Sequence, residues 1–169
     1  MSPAQSLLLI RPAEERDVPA ILEILNEAIA TTLAIWMNGP FDLENRYEWF
    51  RARRGQGFPI LVAEIDAVVA GYASFGPFRA YDGYARTVEH SVYIHKDFRR
   101  RGIGRMLMDP LIGLARARGD HVMVGAIGLP NDPSVALHRQ LGFVDVGRMP
   151  EVGWKFGAWR DLLLMQKIL

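Results

Sequence analysis

No cysteine occurs in the 169 residues, which excludes disulfides, thiolate metal ligands and a cysteine nucleophile. Charge of neither sign is in excess. Lys and Arg number 20 against 19 Asp and Glu, so composition offers no basis for broad binding to nucleic acid or to an anionic membrane. Apolar runs are short, and none approaches the roughly 20 residues that span a bilayer. The opening MSPAQSLLLIRPA has too brief an apolar stretch, and no preceding basic residue, for a secretory signal. A cytoplasmic protein is expected. The four histidines, His90, His95, His121 and His138, contain no H-x-x-x-H pair. His90 and His95 fall on opposite faces of a regular strand, and no metal is expected. No repeat or low-complexity tract appears. Half the residues are hydrophobic and 23% charged, as in one globular domain, residues 1–169, with length for a real core.

Periodicity predicts alternating strands and helices. Ser6 to Arg11 is a short apolar run ended by Pro12 and reads as a first strand. From Glu14 to Ala30 the spacing turns helical, with Val18, Ile21, Leu22, Leu25 and Ile29 on one stripe. A loop follows over 31–41. Asp42 then caps a second helix through Arg54, ended by Gly55 and Gly57. Ile60–Glu64 and Val68–Phe75 form a hairpin about Asp66-Ala67, and Thr87–Ile94 is the next strand. A helix from Gly102 to Arg118 buries Ile103, Leu107, Leu111 and Leu114, and Pro110 should kink it. His121–Ile127 is a buried strand. Asp132 as cap and Pro133 at the first position open a short helix that Gly142 stops. Phe143–Arg148 and Asp161–Ile168 are final strands, separated by an aromatic loop over 153–159. The expected fold class is α/β, a mixed, mostly antiparallel central sheet flanked by about four helices, with a parallel crossover after Ile94.

The stretch TVEHSVYIHKDFRRRGIGRML, Thr87 to Leu107, carries the first chemical signal. A strand feeds a basic, glycine-bearing turn that opens a helix, where unpaired N–H groups and the helix dipole favour phosphate. Glu89 and His90 lie on the same strand. An anion anchor beside an ionisable group suggests group transfer from a phosphorylated donor.

Arg99-Arg100-Arg101-Gly102-Ile103-Gly104 resembles the R/Q-x-x-G-x-G/A signature of the GNAT acyltransferase superfamily, and SVALHRQLGF (Ser134–Phe143) resembles that family's later helix with its Gly-Phe turn. Phe78-Arg79-Ala80, Thr87–Ile94, Gly128–Ser134 and Gly153–Asp161 are similar to the phosphinothricin and methionine sulfoximine acetyltransferase branch. The resemblance implies a GNAT-like fold, acetyl-CoA as cosubstrate, and acetylation of the α-amine of a small amino acid or glutamate-like analogue.

It also implies roles. Backbone amides of Arg101, Gly102, Ile103, Gly104 and Arg105, with Arg99 and Arg100 before them, would cradle the CoA pyrophosphate, the glycines letting the main chain approach. Val92, Tyr93 and Ile94 would pair through main chain with the pantetheine, and Asn131 and Ser134 would complete the cofactor site. For a lysine-like amine, losing its proton at neutrality costs on the order of 4 kcal/mol, and Glu89 is the candidate base. A strand amide near Tyr93 would serve the oxyanion. His138 stands where many superfamily members have a tyrosine that attends the leaving thiolate. Arg79 would bind the acceptor's carboxylate, in a substrate site with Phe78, Ala80, Thr87, Val88, Glu89 and Lys155. The resemblance further implies a homodimer in which the loop bearing Lys155 and Trp159 reaches the site across the interface. Two other readings keep the anion site: acetylation of a protein N-terminus, and a non-catalytic acyl-CoA sensor.

Overall fold

Seven strands and four helices make up the described residues, 7–169, of the computed structural model. Ser6, the expected start of the first strand, lies outside them. The elements are β1 (Leu8–Pro12), α1 (Val18–Thr31), α2 (Leu43–Gly55), β2 (Ile60–Ile65), β3 (Val68–Pro77), β4 (Thr87–Ile94), α3 (Ile103–Arg118), β5 (Val122–Gly128), α4 (Asp132–Gln140), β6 (Val144–Lys155) and β7 (Ala158–Ile168). They form one sheet in the order β1-β2-β3-β4-β5-β7-β6. Every pairing is antiparallel except β4 with β5. The α3 crossover is what permits that one parallel pair.

The sheet has a core on each face. On one, Ile103, Leu107, Met108, Leu111, Ile112 and Ala115 of α3 pack on Ala73, Phe75, Val88 and Met123. On the other, Val18, Ile21, Ile24, Leu25 and Ile29 of α1 and Phe50 of α2 cover Ile60, Val62 and Tyr72. A fully buried leucine such as Leu107 contributes roughly 1.5–3 kcal/mol. Leu114, expected on the buried stripe, is exposed; Met108, Ile112 and Ala115 complete the face instead. Helix α3 runs through Pro110, which lies on its solvent side.

Local chemistry sets the ends. Asp42 caps α2 by accepting from the Asn45 N–H at 2.8 Å. Asp66 and Ala67 have φ of 49° and 66°, the two-residue turn whose twist matches its flanking strands. At α4 the cap is Asn131, not Asp132: its side chain accepts from the Ser134 N–H at 3.3 Å, and Pro133 sits one position further in. The aromatic segment 153–159 is not a loop. It is the tip of a hairpin, with Phe156 and Gly157 alone at the turn (φ 52° and 71°) and Gly153–Lys155 paired with Ala158–Arg160.

Candidate active site

Strands β4 and β5 are hydrogen-bonded only where Thr87–Glu89 meets Val122–Val124. Beyond that point β5 stays with β7 to Gly128, while β4 continues beside β3 to Ile94. The two strands therefore part, and the β4 edge facing the gap is left without a strand neighbour. A cavity of about 340 Å³ opens there, lined by Glu89, Val92, Tyr93, Ser134 and His138 among others.

At the fork sit two imidazoles that follow directly from the parting. His90 and His138 are both buried and stack at 5.0 Å, with Nε2 to Nε2 at 3.0 Å. The His138 Nδ1 lies 2.6 Å from the Ser134 carbonyl, which accepts, so Nδ1 carries the hydrogen. Neutral His138 then accepts at Nε2 from the His90 Nε2–H, and the His90 Nδ1 is buried without a partner. Burial holds both rings below the usual histidine range, His90 at about 3 with His138 adding to the effect, whereas the Ser134 carbonyl partly opposes the shift at His138. Gly125 makes room: an added Cβ would lie 2.9 Å from the His138 Nε2 and 3.0 Å from the His90 Nε2. Both His138 nitrogens are thus engaged, and the Ser134 hydroxyl, 3.5 Å from Nδ1, stands beside the ring on the cavity wall.

Glu89 faces the other side of the sheet. Partial burial pushes its carboxyl up, and the nearby Arg79 charge pulls it back. It lines the first cavity and also a second of about 420 Å³, bounded by Trp49, Arg53, Phe78 and Ser91. Arg79 itself is exposed and lies over the Phe78 and Tyr84 rings at 5.2 and 6.0 Å. Tyr93 packs 5.4 Å from Tyr72, and burial pushes its hydroxyl up to about 12, so it stays protonated.

The glycine turn after β4 has the geometry anion binding requires. Gly102 is left-handed (φ 76°), and Gly104 lies against Leu137, 3.1 Å from the position of an added Cβ. Arg105 and Met106 donate to the Gly102 carbonyl, whereas Ile103 and Gly104 find no carbonyl among the described residues. The arginines differ in use. Arg99 pairs with Glu27 and donates to the Ile94 carbonyl, Arg101 donates to the Asp97 carbonyl, and Arg105 pairs with Asp109. They brace the turn through protein contacts. Arg100, at φ 64°, is exposed.

Lys155 is not in the acceptor cavity of its own chain. It is 4% exposed, and its Nζ donates to the carbonyls of Ile29, Ile35 and Met37 at 2.6, 2.9 and 3.0 Å. All three ammonium hydrogens are spent on the end of α1 and the α1–α2 connection, so a substrate contact is contradicted within this chain. The connection it holds carries Leu33 and Trp36, which wall the first cavity. Trp36 in turn lies on two glycines: a Cβ at Gly153 would come within 2.2 Å of its ring and one at Gly128 within 2.7 Å of its Nε1. Of the other expected substrate residues, Phe78 bounds the second cavity and Thr87 begins β4 partly buried. Ala80 is exposed on the loop, and the Val88 side chain is 1% exposed in the core under α3, available to a ligand only through its main chain. Trp36 and Arg53, which also line these cavities, were not among the expected residues, and His90 was noted only as an ionisable group beside Glu89. No sequence signal marks them; the rings that lie against Gly125, Gly128 and Gly153 come from distant parts of the chain.

The sequence pattern of the Acetyltransferase (GNAT) family matches residues 21–143. An L-methionine sulfoximine/L-methionine sulfone acetyltransferase of Pseudomonas paraeruginosa is 54% identical over 159 residues, 93% of this chain and 92% of its own. A structure described as ribosomal-protein-alanine N-acetyltransferase from Brucella melitensis superposes with a TM-score of 0.94 at 51% identity, covering 95% of this chain and 99% of that one. A phosphinothricin acetyltransferase from Sinorhizobium meliloti, in complex with acetyl-CoA, gives a TM-score of 0.94 at 34% identity over 96% and 88% of the two chains.

Proposed function

The chain belongs to the acetyltransferase (GNAT) family, and on that premise we propose that it transfers acetyl from acetyl-CoA to the α-amine of a small amino acid or glutamate-like analogue. Methionine sulfoximine, methionine sulfone and phosphinothricin are the acceptors suggested by the names of its relatives. The observation that carries this reading is Glu89, a partly desolvated carboxylate on the rim shared by two cavities at the mouth of the strand fork. One cavity suits a thioester arm and the other a small acceptor.

Acetyl-CoA, when bound, supplies an acetyl group activated as a thioester. Unspent N–H groups at Ile103 and Gly104 fit its pyrophosphate, with Gly102 and Gly104 admitting close approach. The free edge of Val92–Ile94 would pair with the pantetheine amides as a strand pairs with a peptide, and Asn131 and Ser134 flank the same cavity. Glu89 accepts the proton that the acceptor ammonium must lose, and its raised pKa narrows the gap to the amine. A main-chain N–H near Tyr93 stabilises the developing oxyanion. Arg79 holds the α-carboxylate beside the amine. The Ser134 hydroxyl beside His138 donates a hydrogen bond to the sulfur, which leaves as the CoA thiolate; His138, neutral and with both ring nitrogens engaged, positions that wall and gives up no proton.

The chain acts as a homodimer in this reading. Val144, Val146, Met149, Val152, Trp154, Phe156 and Trp159 are all large, apolar and exposed, and they run along edge strand β6 and the hairpin tip. A face of that size on an unpaired edge calls for cover, and a second copy brings the same face to it.

The Brucella structure favours a second reading, acetylation of a protein N-terminus. Free-thiol release from acetyl-CoA, measured with methionine sulfoximine, phosphinothricin, the ordinary amino acids and short peptides, decides between them. Turnover confined to free amino acids is expected; turnover only with peptides transfers the assignment, and none with any acceptor refutes both.

A further inference from the structure

Arg46 and Arg53 of α2 are two helical turns apart, with Trp49 between them. Their guanidinium carbons lie 4.1 and 5.7 Å from the Trp49 ring. Arg46 is 7% exposed, and its Nε is buried without a partner. Arg53 is half-buried and borders the 420 Å³ cavity shared with Glu89. Neither guanidinium has a carboxylate acting on it; burial opposes the charge of both, and Arg46 repels Arg53. Two desolvated cations without a counter-charge are costly, and an anion entering the cavity beside Arg53 offsets part of that cost.

The seat of Arg53 is built for the purpose. Its Nη1 lies 1.4 Å from where a Cβ on Gly76 would be, so the glycine at the end of β3 lets the guanidinium come against the main chain. The cavity is also charge-polarised, with Glu89 contributed by β4 and Arg53 by α2. Arg79 is the cation whose field reaches Glu89. It therefore suits the carboxylate bonded to the same carbon as the amine. Arg53, on the α2 wall of the cavity whose β4 side carries Glu89, suits a group further along the acceptor.

We propose that Arg53 binds the distal oxyanion or oxo group of the acceptor's side chain, making this cavity selective for amino acids that end in phosphinate, sulfonyl or carboxylate oxygen. The idea rests on the amino-acid acetyltransferase reading above and adds a specificity residue to it. A guanidinium offers such a group two parallel donors, whereas the apolar walls of Trp49 and Phe78 hold the intervening methylenes.

The test is calorimetric binding, so that it does not depend on turnover. Phosphinothricin and methionine, the latter lacking distal oxygen, are titrated into CoA-loaded protein carrying no change, Arg53→Gln or Gly76→Ala. Losing a charged hydrogen bond should weaken phosphinothricin by roughly 10- to 100-fold in Arg53→Gln, with methionine moved less than about threefold. Gly76→Ala should act in the same direction with Arg53 intact, because its methyl group displaces the guanidinium. Equal weakening of both ligands, unchanged phosphinothricin binding, or no phosphinothricin binding by the unaltered protein overturns the proposal. Selective binding without any acetyl transfer leaves Arg53 in this role and refutes the catalytic reading instead.

Discussion

Acidification should destabilise this protein through one buried ring, His90. The ring is enclosed by His138 at 5.0 Å and by Phe143 at 5.5 Å. Its Nε2–H is committed to His138, and its Nδ1 has no partner to welcome a proton. Burial, with His138 adding to it, lowers the folded-state pKa to about 3 from the ordinary 6.5. The folded protein therefore keeps His90 neutral where the unfolded chain protonates it. Between those two pKa values the unfolded state binds more protons, so stability is whole above 6.5 and falls as pH drops toward 3. The slope is about 1.36 kcal/mol per pH unit, and going from pH 7 to pH 5 should cost about 2 kcal/mol from this group.

Urea unfolding at pH 7, 6 and 5, compared with His90→Gln, isolates that share. The variant starts less stable, because the ring stack is gone, but should lose about 2 kcal/mol less across the interval. The direction also predicts that the His90 ring resonances of the native protein stay unmoved through pH 5 in an NMR titration. Parallel pH slopes in the two proteins, or a native His90 titrating near 6.5, would falsify the reasoning.

Glu89→Gln keeps the side-chain volume and removes the proton acceptor. It should lower kcat by about 10²- to 10⁴-fold with binding of acetyl-CoA unchanged by calorimetry, and the acidic limb of the kcat/KM profile should disappear. Lys155→Met strips three carbonyls of their donor; chemical denaturation should show a loss of about 1–3 kcal/mol, and kcat/KM should fall for all acceptors alike as the Trp36 wall loosens. A fall for one acceptor alone would mean that Lys155 of a partner touches substrate. Trp154→Arg places a charge in the exposed apolar face and should convert the proposed homodimer to monomer in sedimentation velocity; an unchanged sedimentation coefficient would exclude this face as the interface.

The frame of the molecule was legible because its signals are local. The α1 stripe of Val18, Ile21, Leu25 and Ile29, the Asp42 cap and the Asp66-Ala67 turn each depend on a few neighbouring residues, and each is where periodicity or cap chemistry puts it. Errors arose where two signals compete. Asn131-Asp132-Pro133 offers two capping side chains in sequence, and only the main-chain direction selects Asn131. The segment 153–159 mixes glycine with aromatics, a loop-like composition, although the alternation of exposed Val152, half-buried Gly153, exposed Trp154 and buried Lys155 leading into its turn is that of a strand.

Site residues divide along the same line. Glu89, Val92 and Gly102–Gly104 lie within one strand-turn-helix unit, so a contiguous motif was enough to bring them together as candidates. His90 was judged by its relation to His95 along one strand, a comparison blind to the face it shares with His138, 48 residues away. Lys155 was assigned to substrate by family resemblance, on a loop expected to cross a homodimer interface, yet its three donors belong to main-chain carbonyls of its own chain that no sequence pattern marks. Arg53 shows the difficulty from the opposite side. It ends a helix rich in arginine, where basic residues ordinarily answer the helix dipole in solvent. What separates it from Arg54 beside it is direction: Arg54 is exposed, whereas Arg53 turns onto Gly76 and into the cavity with Glu89. A single residue's rotation about the helix axis, about 100°, decides between a solvated surface charge and a specificity determinant, and only packing against β3 reveals which of the two arginines makes that turn.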